Sequence, residues 1–331
     1  MNHQVRLRAR PVGRVRPGDF ELVEAPVPEP GPNDVLLRVL WLSLDPAMRG
    51  WIAMGKNYVE PVPLGSVMRG FTVAEVMRSN HPGYARGDLV VGMQGWQEYA
   101  VSDGGDIHRT IDPALGPPSA FLGALGHTGM TAYVGMLDIG QPKAGETVVV
   151  STAAGAVGSV AGQIARISGC RAVGIAGSDA KVKLCLDEFG FDACINYRST
   201  PDLDAALRAA CPDGIDVYFD NVGGGTLDTV LDQINVGARI VVCGTIGMDS
   251  PTGPRVERKL LVGRARMQGV LVLDHMPRFD EGIRQLSAWM REGRLRHRED
   301  IVDGLGRAPA ALVAMLEGRN VGKQLVRVAP S

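Results

Sequence analysis

The sequence of 331 residues lacks an excess of charge of either sign, with 35 Lys and Arg residues against 36 Asp and Glu residues. A net charge of −1 creates no positive field that would attract nucleic acid or an anionic membrane surface, so we expect neither as a partner. Apolar residues make up 45% of the chain, which is enough for two packed cores. This composition excludes a chain that is disordered as a whole.

Cysteine is also scarce, and the five residues are Cys170, Cys185, Cys194, Cys211 and Cys243. No two of them have CxxC spacing and their number is odd, which argues against a disulfide framework or a cysteine-rich zinc lobe. A reducing compartment fits this usage better. The basic N-terminal segment has no apolar run behind it, so we predict no secretory signal and expect a cytoplasmic protein.

One uncharged stretch, Thr147–Ala165, has 19 residues, about the length that crosses a bilayer. It is rich in Gly, Ser, Thr and Ala, and a β-branched run is followed by a glycine-rich turn. We therefore predict a buried strand, a turn and a helix, with a membrane span as the alternative.

The length of the chain favours two domains, and the pattern of the sequence changes near Pro117 and Pro118. Residues 1–122 contain short apolar runs between proline and glycine residues, which indicates a β-rich domain. Residues 123–299 alternate strand-like and helix-like segments. The run GKQLVRV (Gly322–Val328) predicts a last strand that returns to the first domain, so we assign residues 300–331 to it.

The alternating segments predict six strands joined by short helices. This arrangement is typical of a parallel, doubly wound α/β sheet. The run FDEGIRQLSAWMREGRL then predicts an amphipathic helix with Ile283, Leu286, Trp289 and Met290 on one face. The six predicted strands are TVVVSTA, RAVGIAG, ACINY, GIDVYFDNVGG, ARIVVCGTIG and RMQGVLVLD.

The most informative motif follows the first of these strands. Ala153, Gly155 and Gly158 form AxGxxG at the start of a predicted helix, a variant of GxGxxG. A dinucleotide pyrophosphate needs backbone N–H groups at a helix N-terminus and no Cβ in its way. The motif therefore predicts dinucleotide binding, and a glycine-rich turn kept only for packing is the alternative.

The end of the second strand favours NADP over NAD. An NAD site usually has Asp or Glu there to accept from the ribose 2′-hydroxyl, whereas this chain has Gly177 and Ser178. Lys181 follows, and Tyr197 ends the third strand, so a 2′-phosphate meets an ammonium and a phenol. Asp179 is the discordant residue, and we interpret it as an acid in the first turn of a helix. A solvated helix lysine is the alternative role for Lys181.

Two further residues lie where the fourth and fifth strands end, the edge at which such sheets bind ligands. Asn221 and Cys243 are candidates to line the nicotinamide. The alternatives are a turn-forming residue for Asn221 and a packed, unreactive thiol for Cys243.

With these residues in place, the chain resembles the medium-chain dehydrogenase/reductase superfamily over nearly its whole length. Within it, the chain is similar to the zinc-independent, NADP-dependent alkenal/one double-bond reductases. That resemblance implies a Rossmann domain and a β-rich GroES-like substrate domain. The motifs that carry it are LSLDPAMRGW (Leu42–Trp51), YVEPVPLGSVMRG (Tyr58–Gly70), Gly129–Ser159, GFDACINYR (Gly190–Arg198), GIDVYFDNVGG (Gly214–Gly224), ARIVVCGTIG (Ala238–Gly247) and GRNVGKQLV (Gly318–Val326).

The resemblance implies three groups of cofactor-binding residues and a homodimer joined through the cofactor domains. The pyrophosphate would contact Ala156, Val157, Gly158 and Ser159, and the 2′-phosphate would contact Lys181 and Tyr197, as the residues above already indicate. The nicotinamide half would contact Asn221, Cys243, Gly244, Ile246, Val270, Leu271 and Val272, with Asn320 reaching the cofactor from the C-terminal segment.

The superfamily's alcohol dehydrogenases bind zinc through Cys, a His–Glu pair and a further Cys or Asp. The corresponding segments here read SLDPAMRG and LGSVMRGFTVAEV, no cysteine precedes Cys170, and no His–Glu pair occurs. His81 and His127 have no partner at ligand spacing. We therefore expect no metal.

Without a metal, the reaction suits a substrate that is already electrophilic, such as an α,β-unsaturated ketone or aldehyde. Hydride from NADPH would reach the β-carbon, and a donor would stabilise the enolate oxygen. Tyr58 is the candidate donor, with a packed tyrosine or a cofactor ribose hydroxyl as alternatives. Two other functions stay open, an NADPH:quinone reductase and an NADPH-binding protein with little turnover.

The chain departs from the family pattern in two places. GHTGMTAY has His127 and Thr128 where relatives often have Met-Pro, and LDHMPRF has His275 and Met276 where some relatives have a tyrosine. The identity of the substrate therefore does not carry over from the resemblance.

Overall fold

The computed structural model divides the chain into two compact units. The first contains Met1–Leu122 and Glu299–Ser331, and the second contains Gly123–Arg298. The structure describes residues 1–54, 59–244 and 256–328, without the side chains of residues 257, 258 and 261.

The described strands and helices alternate differently in the two units. The strands are β1 (Asn2–Leu7), β2 (Phe20–Ala25), β3 (Val35–Ser43), β4 (Thr72–Ser79), β5 (Leu89–Gly92), β6 (Tyr99–Ser102), β7 (Ile107–Thr110), β8 (Thr147–Ser151), β9 (Arg171–Ala176), β10 (Ala193–Asn196), β11 (Ile215–Asp220), β12 (Ile234–Val242), β13 (Arg266–Gly269), β14 (Glu299–Asp303) and β15 (Lys323–Arg327). The α-helices are α1 (Met48–Trp51), α2 (His127–Val134), α3 (Gly158–Ile167), α4 (Asp179–Asp187), α5 (Leu203–Ala210), α6 (Gly224–Leu231), α7 (Val256–Gly263), α8 (Phe279–Arg291) and α9 (Ala308–Leu316).

The described strands of the second unit form a six-stranded parallel sheet in the order β10-β9-β8-β11-β12-β13. In chain order this is 3-2-1-4-5-6, the doubly wound arrangement of a dinucleotide-binding domain. The predicted fold class is confirmed. The order reverses between β8 and β11, so the loops after these two strands flank a crevice at the carboxyl edge of the sheet.

The central strands are apolar because helices cover both faces of the sheet. All five residues of β8 are buried, and α3 packs a buried stretch, Gly158–Ala165, against the sheet. Thr147–Ala165 is therefore the predicted buried strand, turn and helix. None of the described helices is both long enough and apolar enough to cross a membrane.

The first unit is built on antiparallel pairing. Strand β3 pairs with β4, β6 and β15, and β15 also pairs in parallel with β14. The last strand therefore returns from the C-terminal segment to the N-terminal sheet, as predicted from GKQLVRV. The remaining strands extend the sheet through β5 and β7, while β1 and β2 form a separate two-stranded sheet.

Three predicted strands differ from the structure by four or more residues at one end. The fourth ends at Asp220, four residues before its predicted end at Gly224, where α6 begins. The sixth ends at Gly269, and Val272–Arg278 forms short 3-10 turns interrupted by a kink at His275, so the predicted strand through Leu273 and Asp274 is wrong. The fifth begins at Ile234, four residues before the predicted start, because Gly237 (φ 82°) absorbs an irregular register with β11.

Candidate functional site

The turn between β8 and α3 is built around close backbone approaches. Thr152 lies in the left-handed region at φ 54°, which is costly for a β-branched residue. A Cβ on Gly158 would lie 2.3 Å from the Thr152 carbonyl oxygen, and one on Gly155 would lie 2.9 Å from Thr152 Cγ2. Position 158 therefore requires glycine if the turn keeps its present course, because that contact is with backbone, whereas the nearest atom at position 155 belongs to a side-chain methyl group.

The same turn presents backbone donors at the N-terminus of α3. Within the described part of the chain, no acceptor is bonded to the N–H groups of Ala156, Val157 and Gly158, whereas the Ser159 N–H is bonded to the Gly155 carbonyl at 3.0 Å. Unused N–H groups at a helix start form a binding site for a phosphate group. The four predicted pyrophosphate residues are thus brought together, three of them with free donors.

Gly177 and Tyr197, two of the residues predicted to surround a 2′-phosphate, meet at the ends of β9 and β10, and Lys181 lies in the first turn of the helix that follows β9. A Cβ on Gly177 would lie 3.2 Å from the Tyr197 ring, and the Ser178 hydroxyl caps α4 by accepting from the Lys181 N–H at 3.4 Å. Lys181 is thereby placed in the first turn of the helix next to Gly177. Tyr197 is 46% exposed, so its phenol is accessible to a ligand.

Sequence reasoning missed Arg198, which lies in the same cluster. Its Nε donates to the Tyr197 hydroxyl at 3.3 Å, and it lies 3.5 Å from the position of a Cβ on Gly177. The only signal in the sequence was its place beside Tyr197 in the segment NYR. Asp179 was the residue that argued against a 2′-phosphate. Its carboxylate is already hydrogen-bonded, because it accepts from Asn196 Nδ2 at 2.6 Å.

A buried network underlies the crevice where β8 and β11 end. Asp220 is fully buried, and its Oδ1 accepts from the Tyr218 hydroxyl and from the N–H groups of Val222 and Gly223, each at 2.9 Å. Burial and the charge of Asp220 raise the pKa of Tyr218 well above its usual value, so this hydroxyl stays a donor. Asp220 thereby fixes the turn that follows Asn221.

Asn221 donates two hydrogen bonds within this network. Its backbone N–H donates to the Ser151 hydroxyl at 2.8 Å, and its Nδ2 donates to the Ser151 carbonyl at 2.7 Å. The Cys243 and Gly244 N–H groups both donate to the Asp220 carbonyl, and a Cβ on Gly244 would lie 2.6 Å from the Asn221 carbonyl oxygen. Asn221, Cys243 and Gly244 therefore meet at the edge of the crevice.

Cys243 should resist alkylation. Loss of solvent around the thiol, followed in size by the charge of Asp220, raises the pKa of Cys243 to about 12. At pH 8 almost none of this thiol is therefore the nucleophilic thiolate. We expect N-ethylmaleimide at pH 8 to leave Cys243 unmodified in the native protein, as measured by peptide mass spectrometry. The control is protein unfolded in guanidinium, in which Cys243 should be modified. Rapid native modification of Cys243 would contradict this assignment.

The other predicted residues are not brought into one cluster by the described structure. Tyr58 and Ile246 lie outside the described residues. Val270, Leu271 and Val272 follow β13, and the Val270 N–H donates to the Val242 carbonyl at 3.0 Å, so they adjoin the end of β12. Asn320 belongs to the first unit, where its Nδ2 donates to the Gly322 carbonyl at 2.9 Å, and its role toward the cofactor stays a prediction.

In the first unit, the segment SLDPAMRG, which corresponds to the first zinc-ligand segment of the alcohol dehydrogenases, contributes Asp45 to a buried ion pair. Lys323 Nζ lies 2.7 Å from Asp45 Oδ1 and donates to the Leu44 carbonyl at 2.8 Å, with both charged side chains 5% exposed. The Ser43 hydroxyl donates to the other Asp45 oxygen. Among the described side chains, no three His, Cys, Asp or Glu residues are grouped so that they could hold a metal ion.

Comparison with known proteins places this geometry in a family. Residues 3–110 match the family described as the N-terminal domain of oxidoreductase, and residues 156–289 match the family described as zinc-binding dehydrogenase. The putative NADP-dependent oxidoreductase YfmJ of Bacillus subtilis (strain 168) is 48% identical over 98% of this chain and 97% of its own length. The NADPH-dependent curcumin reductase of Escherichia coli (strain K12) is 44% identical over 98% and 96% of the two chains.

A solved structure extends the likeness to three dimensions. The crystal structure of CurA in complex with NADPH from Vibrio vulnificus superposes with a TM-score of 0.94 at 42% identity, covering 99% of this chain and 100% of the other. The chain has a glycine turn at a doubly wound sheet in one unit and mainly antiparallel strands in the other. This combination is typical of two-domain nucleotide-dependent dehydrogenases. The chain belongs to the medium-chain dehydrogenase/reductase superfamily, in its zinc-independent reductase group.

Proposed function

We propose that this protein is an NADPH-dependent reductase of the carbon–carbon double bond of α,β-unsaturated ketones and aldehydes. The observation that carries the cofactor choice is the end of β9, where Gly177 and Ser178 replace the carboxylate of an NAD site and lie beside Tyr197. The printed names of the relatives, a curcumin reductase and a 2-alkenal reductase, support the type of substrate.

The residues of the second unit fit a bound dinucleotide. In this proposal the N–H groups of Ala156, Val157 and Gly158 bind the pyrophosphate, Lys181 and Tyr197 hold the 2′-phosphate, and Asn221, Cys243 and Gly244 adjoin the nicotinamide. NADPH, when bound, supplies the hydride. The Asp220 network gives the nicotinamide edge a fixed backbone, and fixed geometry is what positions the reacting atoms without a metal.

The substrate then takes hydride at its β-carbon and a proton at its α-carbon. The negative charge that develops on the carbonyl oxygen requires a hydrogen-bond donor nearby. We keep Tyr58 or a ribose hydroxyl of the cofactor as the candidates for this donor. The first unit supplies the substrate-binding surface in this proposal, as the resemblance implies.

A screen of NADPH oxidation against alkenals, alkenones and quinones, with identification of the products, tests the function. We expect turnover of enones and enals and formation of the saturated ketone or aldehyde. Formation of allylic alcohols would contradict hydride transfer to the β-carbon. Turnover of quinones alone would identify a quinone reductase, and tight NADPH binding without turnover across the panel would identify a binding protein.

We also propose a homodimer joined through the second unit. In the described sheet, β13 has a strand partner on one side only, and three of its four residues are exposed. An open edge strand is a template for pairing with a second copy. The protein would work in the cytoplasm on small molecules, without nucleic acid or membrane partners, which the free cysteines and the balanced charge support. Light scattering of the purified protein tests the dimer.

A further inference from the structure

Arg198 has a guanidinium group that the fold itself leaves largely unused. Within the described residues, no carboxylate forms an ion pair with it, and the Nε–H bond to the Tyr197 hydroxyl at 3.3 Å is its only hydrogen bond. Two other exposed arginines of this unit form ion pairs with carboxylates, since Arg208 pairs with Asp204 at 2.9 Å and Arg166 pairs with Asp192 at 2.9 Å. Both Nη groups of Arg198 therefore remain available to a ligand.

Arg198 follows β10, and its side chain lies beside Gly177 at the end of β9. Its guanidinium carbon lies 5.7 Å from the centre of the Tyr197 ring, and a Cβ on Gly177 would meet both side chains, at 3.2 Å for Tyr197 and 3.5 Å for Arg198. Glycine at 177 thus keeps open the space that the two side chains border. A dianion that enters this space meets a guanidinium and a phenol together.

The hydrogen bond between the two side chains prepares both of them for an anion. Arg198 Nε donates to the Tyr197 hydroxyl oxygen, so the hydroxyl hydrogen of Tyr197 is left to donate elsewhere. A phosphate oxygen accepts from such a hydroxyl and from the Nη groups of arginine at once. A planar guanidinium presents two parallel donors to a phosphate, which an ammonium does not.

Asp179 and Asn196 hold this arrangement in place. Asn196 Nδ2 donates to Asp179 at 2.6 Å, and Asn196 Oδ1 accepts from the Arg198 backbone N–H at 3.1 Å. The start of α4 is thereby tied to the end of β10. Asp179, which argued against a 2′-phosphate in the sequence, accepts a hydrogen bond from Asn196. Asn196 in turn holds the backbone of Arg198.

We propose that Arg198 is the principal cationic contact of the 2′-phosphate and sets the preference of this protein for NADPH over NADH. The inference rests on the proposed cofactor function of the second unit. Lys181 then contributes a second positive charge from the first turn of α4, and Tyr197 orients the guanidinium.

The test compares two adenosine ligands that differ only in the phosphate concerned. Calorimetric titration of the full-length protein with 2′,5′-ADP and with 5′-AMP isolates the contribution of the 2′-phosphate. We expect Arg198→Ala to weaken binding of 2′,5′-ADP by about 10- to 100-fold, as for a lost charged hydrogen bond, and to leave 5′-AMP binding unchanged. Arg198→Lys keeps the charge but loses the paired donors, so it should fall between the two.

Arg208→Ala is the matched control, since Arg208 is an exposed arginine of the same unit that pairs with Asp204. It should leave both affinities unchanged. Unchanged binding of 2′,5′-ADP in Arg198→Ala would overturn the proposal, as would an equal loss for both ligands. A larger loss of 2′,5′-ADP binding in Lys181→Ala than in Arg198→Ala would assign the main contact to Lys181 instead. These titrations contain no enone, so they stand or fall separately from the proposed reaction.

Discussion

Replacing Gly158 by alanine is expected to weaken NADPH binding by about 1–3 kcal/mol, roughly 5- to 150-fold. The new Cβ would lie 2.3 Å from the carbonyl oxygen of Thr152 and 2.9 Å from its carbonyl carbon. Both contacts are with backbone, and Thr152 is already in the left-handed region at φ 54°. The turn must therefore shift, and the N–H groups at the start of α3 shift with it.

Gly225→Ala is the matched control for this substitution. Gly225 lies in α6 with no atom within 4 Å of an added Cβ, so alanine there should leave cofactor binding unchanged and favour the helix slightly. Fluorescence titration of NADPH measures the affinities, and thermal unfolding confirms that both variants are folded. Equal NADPH affinities for the Gly158→Ala variant and the unaltered protein would contradict the assigned role of the turn.

Replacing Asp45 by alanine is expected to lower the free energy of unfolding of the first unit by about 3–5 kcal/mol. Asp45 and Lys323 are each 5% exposed, so the substitution leaves a buried ammonium that only the Leu44 carbonyl still accepts from. An unpaired buried charge costs far more than the pair itself contributes. The pair also joins β15 to the loop after β3, two segments that are 278 residues apart.

Urea unfolding followed by tryptophan fluorescence measures this effect, because Trp41, Trp51 and Trp96 all belong to the first unit. The control is Asp303→Ala, which removes an exposed partner of Arg327 on the neighbouring strand and should cost no more than about 1 kcal/mol. The double variant Asp45→Asn/Lys323→Met removes both charges and should recover most of the loss. A cost for Asp45→Ala as small as that for Asp303→Ala would contradict this account.

The parallel, doubly wound sheet could be predicted because each of its signals is local. Buried β-branched runs, glycines after helices and the AxGxxG turn each occupy a few neighbouring residues, and right-handed crossovers leave few ways to join them. The sixth strand of the parallel sheet, β13, was predicted too long because the apolar run VLVLD fits an edge strand and a short helix equally well.

The site was harder to predict where it depends on contacts between distant segments. Gly177 and Lys181 could be found from their distance after the glycine turn, but the contact between Gly177 and the Tyr197–Arg198 pair exists only because β9 and β10 are neighbours. The pairing of Asp45 with Lys323 leaves no pattern in either segment. The same holds for Asp179, whose bond to Asn196 changes its meaning for cofactor choice.

Transfer of deuterium from NADPH labelled at C4 of the nicotinamide shows which substrate carbon receives the hydride. With an enone as substrate, we expect a saturated ketone that carries deuterium at the β-carbon and an unlabelled hydrogen from water at the α-carbon. Deuterium on a carbinol carbon, or a reduced product without deuterium, would contradict this expectation.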